Sequence, residues 1–79
     1  MSSLYWRYWK VRMGKGQYKL VWETKNKGDT FYGRFVNKFG DETAKKGTVD
    51  LVIFHKDDIV CEMVMNKKYC ELERKGEST

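Results

Sequence analysis

Along residues 4–13 and 17–24, aromatic and β-branched side chains alternate with basic and polar ones at a period close to two, the spacing of a strand with two unlike faces. Between the two runs stands Gly14-Lys15-Gly16, whose glycines admit the positive φ of a tight turn, and the pattern predicts a β-hairpin. With Lys15-Gly16 as the central pair, Met13 falls opposite Tyr18, Val11 opposite Leu20 and Trp9 opposite Trp22, three apolar pairs on one face. The other face then carries Arg12 beside Lys19, Lys10 beside Val21 and Tyr8 beside Glu23, with Trp6 and Leu4 further along. A slip of one residue would dissolve this division, because strand side chains point alternately to opposite faces.

After Asn26-Lys27-Gly28 the spacing of Phe31, Tyr32, Phe35, Val36 and Phe39 follows one helical face. Asp29 is placed to cap the start of such a helix and Gly40 to close it, so a short helix at 30–39 is the favoured reading. A strand is its alternative. Gly33 costs a helix interior about 1 kcal/mol relative to Ala, and Phe31, Phe35 and Phe39 also share one side of a strand.

Residues 41–47 read as a polar connection. Strands are expected again over 48–55, 58–65 and 69–74, with a turn near Lys56-Asp57 that would set Phe54 against Ile59, Ile53 against Val60 and Val52 against Cys61. The architecture expected is mainly β, with α+β as the variant if the helix forms. It is a small antiparallel sheet or partly open barrel of about five strands, in the order ββ(α)βββ. The whole chain, 1–79, makes one domain, with 75–79 as a frayed tail.

The 79 residues are 41% hydrophobic, 15% aromatic and 34% charged, too apolar for an obligately disordered chain. Leu51-Val52-Ile53-Phe54 is far short of the roughly 20 apolar residues that a membrane helix needs, so no membrane association is expected. Met1-Ser2-Ser3 runs into Leu4-Tyr5-Trp6-Arg7 without the apolar stretch of a secretion signal, and Cys61 and Cys70 are too few for a disulfide framework. A cytoplasmic setting with free thiols is the resulting expectation.

Charge sharpens the reading. Sixteen basic residues against eleven acidic ones leave a net charge of +5 and a pI near 9.3, which favours an anionic partner. The asymmetry is local: up to Gly40 there are nine basic and two acidic residues, and beyond it seven basic and nine acidic. Ten of the twelve aromatic residues also lie in the first half.

Single-stranded nucleic acid needs cations to neutralise phosphates and flat rings on which bases stack, at about 1–3 kcal/mol per base. Trp6, Tyr8, Lys10, Arg12, Lys15 and Lys19 can supply both from the hairpin, with Lys25, Lys27 and Arg34 extending the positive rim. RNA or single-stranded DNA is the expected partner, since no basic recognition helix is visible. The plainer alternative is an aromatic mini-core with solubilising lysines outside it. A different class of function uses the same residues: exposed Trp, Tyr and Arg dominate protein interfaces, so an inhibitor, virus-encoded ones included, that blocks an acidic or nucleic-acid-processing protein is the second expectation. Halves of opposite charge also suit homodimerisation.

Other chemistry has little support. His55, Cys61 and Cys70 lack the spacing of a zinc site, and no nucleophile motif, Walker loop, GxGxxG or HExxH occurs. Neither cofactor nor metal is expected, His55 is expected to bound a turn, and the chain reads as a binding module without catalysis.

Overall fold

The computed structural model describes residues 7–43 and 51–76. Six strands, β1 (Arg7–Gly14), β2 (Gln17–Lys27), β3 (Thr30–Val36), β4 (Leu51–His55), β5 (Ile59–Asn66) and β6 (Glu71–Arg74), form one open antiparallel sheet in the order β4-β3-β2-β1-β5-β6. A 3-10 turn, Lys56–Asp58, joins β4 to β5. The mainly β, antiparallel expectation is met.

The hairpin β1–β2 turns at Lys15-Gly16, with Gly14 opposite Gln17, but its register is one residue away from the expected one. Two-residue hairpin loops that match strand twist need a positive φ at their first central residue. Here only Gly16 has one (72°), Lys15 does not, and the strand takes up the mismatch in a bulge between Arg12 and Gly14. Arg12 therefore pairs with Tyr18, Lys10 with Leu20, Trp9 with Val21 and Tyr8 with Trp22, in place of Met13–Tyr18, Val11–Leu20 and Trp9–Trp22.

Residues 30–36 are strand, not helix. Period-two placement sends Phe31, Gly33 and Phe35 to one face, where Phe31 stacks on Phe54 at 5.4 Å and meets the Trp9 ring edge-on at 5.9 Å. Tertiary packing of these rings outweighs a weak local helical pattern already burdened by Gly33. Gly28-Asp29, expected to precede a helix, is instead the turn of the β2–β3 hairpin.

The expected β4–β5 hairpin does not form either. β4 pairs with β3 and β5 with β1, so Phe54 faces Phe31, Ile53 faces Tyr32 and Val52 faces Gly33. In a flat sheet strands four places apart would be separated by about 19 Å. A 3-10 turn of three residues rises only about 6 Å, so the sheet must curl to bring the end of β4 near the start of β5. That curl closes a core of Val11, Val21, Val52 and Phe54, flanked by Trp9, Phe31, Phe35 and Ile59; Val11 and Val21 are fully buried.

Part of the opposite face is covered as well, around Tyr8 and Val36. Asn37 organises the loop after β3, its Oδ1 accepting from Phe39 N and Asp41 N, and the Leu72 amide donates to Lys38 O at 2.6 Å, tying β6 across the sheet to that loop. Val36 and Leu72 are buried beneath it. Gly40 has φ 84°, and a Cβ there would lie 2.9 Å from Met65 Cε and 3.3 Å from the Tyr8 hydroxyl, so only glycine suits this lid. The main core thus lies on one face, and the other is covered only where this loop and β6 cross it. Of the tail expected over 75–79, Lys75 donates from N to Glu62 O at 2.8 Å, and 77–79 lie outside the described residues.

Candidate nucleic-acid interface

The bulge at Met13 decides what the hairpin presents. It sets Arg12 directly opposite Tyr18, and it brings Lys10 to the same face, its ammonium 5.1 Å from the centre of the Tyr18 ring. Tyr18 is 47% exposed, so a cation and an open aromatic face stand side by side. At the tip, Arg12 and Lys15 line an open cleft of about 440 Å³ with Met13, Gly14 and Asp58. One carboxylate therefore sits among the cations.

The remaining expected residues fall in several places. Lys19 pairs with Val11 and lies on the opposite face from Lys10 and Arg12. Strand alternation alone would leave Lys25 on that opposite face too, but a second bulge between Glu23 and Lys25 turns it back, 4.9 Å over the Tyr32 ring. Lys27 is exposed at the β2–β3 turn. Arg34 is exposed opposite Trp22, at the middle of β2, its Nη1 3.3 Å from Glu42 Oε2. From Gln17 to Lys27, β2 runs about 34 Å at the usual rise per residue. The basic residues form two groups, Lys10, Arg12 and Lys15 near the tip and Lys25 and Lys27 at the far end, with Arg34 between them opposite Trp22.

Tyr8 is not an open platform. It is half-buried under Gly40 and lines a recess of about 360 Å³ with Trp22, Asp41 and Glu42, an acidic rim unsuited to phosphate. Trp6 lies outside the described residues. Trp9 belongs to the first core, its Nε1 donating to Glu23 Oε1 at 2.7 Å.

The exposed ring of the hairpin that sequence reasoning passed over is Tyr18; Tyr32, under Lys25, is half-buried. Tyr18 was expected in the apolar core because the bulge was not foreseen; the signal for it was Lys15 at the first turn position, where a primed turn needs glycine or asparagine. Cation-over-ring contacts recur through the molecule: Arg7 on Trp9, Lys10 on Tyr18, Lys25 on Tyr32, Lys38 on Phe39 and Lys68 on Tyr69. About one energetically significant example per 70–80 residues is ordinary, so lysine beside aromatic is a repeated device here.

His55 Nδ1 accepts from Asp57 N at 3.2 Å and caps the 3-10 turn. Cys61 and Cys70 are free thiols, and among the described residues no group of three His, Cys, Asp or Glu side chains is arranged to hold a metal. No described helix is long and apolar enough to cross a membrane. No protein-family model, curated protein or solved structure matches this chain.

Proposed function

We propose that this domain is a non-catalytic module that binds single-stranded nucleic acid, RNA in the first place, through the tip of its N-terminal hairpin. The observation that carries the reading is the Tyr18 ring, open to solvent, with the Lys10 ammonium 5.1 Å above it and Arg12 directly opposite in the ladder. A base stacks on the ring while Lys10, Arg12 and Lys15 meet the flanking phosphates. Lys25 and Lys27 add positive charge at the other end of β2, beside the half-buried Tyr32, and would engage the phosphates of a longer strand. Recognition in this arrangement is of backbone charge and base planes, so little sequence preference is expected.

The test is fluorescence anisotropy of a labelled mixed-sequence RNA and its DNA equivalent at about 50 and about 200 mM salt, the range over which phosphate contacts lose most affinity. Saturable binding that weakens with salt, and that Lys10→Glu with Arg12→Glu abolishes, is the expected result. Binding unchanged by the double reversal would remove the hairpin from the mechanism. No binding at either salt would overturn the reading in favour of a protein target, whose aromatic-anchored interface responds less to salt.

A further inference from the structure

We propose that the recess between the Tyr8–Trp22 pair and loop 40–42 binds a methylated ammonium group, the cationic head of choline or of a trimethylated lysine side chain. This site does not depend on the hairpin reading, and it takes a ligand of opposite charge to the one proposed there.

Tyr8 and Trp22 are directly opposite each other in the β1–β2 ladder, so both side chains rise from one face of the sheet as neighbours. Loop 40–42 stands beside them, and the recess of about 360 Å³ is lined by Tyr8, Trp22, Gly40, Asp41 and Glu42. That volume lies at the lower end of the range for small-ligand sites. The walls are built before any ligand arrives. Asn37 N donates to Asp41 O at 2.8 Å, Gly40 N to Asn37 O at 2.9 Å and Asp41 N to Asn37 Oδ1 at 3.1 Å, while Thr43 N donates to Phe35 O at 3.1 Å and ties the loop to β3. The hydroxyl end of Tyr8 is held under Gly40, where an added Cβ would come within 3.3 Å of it. A site fixed in this way loses little freedom on binding.

Aromatic rings attract cations through the negative charge of their faces, and a methylated ammonium is the cation that such walls hold well. Elsewhere the molecule supplies the cation itself, with a basic side chain over Trp9, Tyr18, Tyr32, Phe39 and Tyr69. Among the described residues none stands over Tyr8.

The charges around the recess fit the same ligand. No described residue that lines it is basic. Glu42 is matched by Arg34 at 3.3 Å on the rim, and Lys38 on the same loop is matched by Glu71 at 3.4 Å. Asp41 is exposed and has no ion pair among the described residues, so one carboxylate is left for a ligand. The next cations on this face are Arg74, two strands away across Met63, and Lys10, two residues along β1, whose ammonium is turned onto Tyr18. The net charge of +5 opposes a cation only at range, and physiological salt screens it beyond about 8 Å. Calcium or magnesium would need several oxygen ligands, where a single uncommitted carboxylate stands.

The test is a titration with tetramethylammonium chloride, followed in the proton–nitrogen correlation NMR spectrum of the labelled protein, against sodium chloride at equal ionic strength. Saturable shifts of the Trp22 indole N–H and of the Gly40 and Asp41 amides are expected, with a Kd of order 1 mM, and none of them with sodium. Tyr8→Leu should weaken binding by about 2- to 30-fold, the loss of one ring. Asp41→Asn, nearly isosteric and at an exposed position, should weaken it as well with the rest of the spectrum unchanged. Choline and a trimethyllysine peptide separate the sources of the group: tighter binding of choline assigns a free small molecule, and tighter binding of the peptide a modified protein. Shifts that do not saturate by about 100 mM, equal shifts with sodium, or unchanged affinity in both variants would overturn the site. An unmethylated lysine peptide that binds as tightly as the trimethylated one would overturn the methylated class.

Discussion

Replacing Gly33 by alanine separates the two readings of residues 30–39 by the sign of a stability change. In the strand, an added Cβ would stand 2.7 Å from Val21 Cγ1, 3.1 Å from the Trp22 carbonyl carbon and closer still to the Trp22 carbonyl oxygen. Two of these three neighbours are backbone atoms of the central strand β2, which cannot swing aside as a flexible side chain does. Overpacking of this kind costs about 1–3 kcal/mol. Alanine also restricts the unfolded chain, which returns about 0.4–1 kcal/mol, and the net expectation is a loss of about 1–2 kcal/mol. For a domain of this size each 1 kcal/mol moves the midpoint by about 4–8 °C, so Gly33→Ala should melt about 5–15 °C below wild type. In a helix the same substitution would stabilise by about 1 kcal/mol and raise the midpoint. Gly14→Ala is the control, because its added Cβ would meet Gln17 Oε1 at an ordinary 3.6 Å and its φ is not positive. The assay is thermal unfolding followed by circular dichroism, with urea titration to confirm an unchanged m-value. A Gly33→Ala midpoint at or above that of wild type would refute the close approach of β3 to β2.

Val21→Ala, at a fully buried site on the central strand, should cost about 2–3 kcal/mol in urea unfolding from lost transfer energy and residual cavity. Trp9→Phe removes the donor to Glu23 and leaves a half-buried carboxylate without that partner, for a loss of about 1–3 kcal/mol that pairing it with Glu23→Gln should reduce in a double-mutant cycle. Tyr18→Ala should weaken single-strand binding by about 5- to 150-fold in anisotropy while the midpoint stays within about 4 °C of wild type, since the ring is half exposed. Lys19→Glu, on the face away from Lys10 and Arg12, should weaken the same binding far less than Lys10→Glu does.

Much of the secondary structure was legible in residue order. Period-two patterning located β1, β2 and β5, Lys15-Gly16 located the first turn, and Lys56-Asp57 located the break before β5. These are local properties, set by the turn chemistry of glycine and by side-chain alternation within a few residues. The positive balance of the first half and its aromatic content were likewise visible, and they pointed to Lys10, Arg12 and Lys15, which the hairpin does gather near its tip.

Register and partnership were settled by the tertiary structure. A bulge of one residue at Met13 exchanged Trp22 and Leu20 for Val21 on the Trp9 face and brought Tyr18 beside Arg12, while a second bulge at Thr24 returned Lys25 to the face of Tyr32. Neither is written in the alternation itself, because a bulge reconciles strand twist with the turns and neighbours at both ends. β4 joined β3 and β5 joined β1 because curling the sheet buries Val52 and Phe54 against Val11 and Val21, a reward that an isolated β4–β5 hairpin could not match. The Asn37–Thr43 loop and β6 then covered part of the second face, turning Tyr8 from an open platform into a packed ring and leaving Tyr18 open. Chain order determined where strands begin and turn; only burial over long sequence separations determined which faces meet solvent, and with them which rings a ligand can reach.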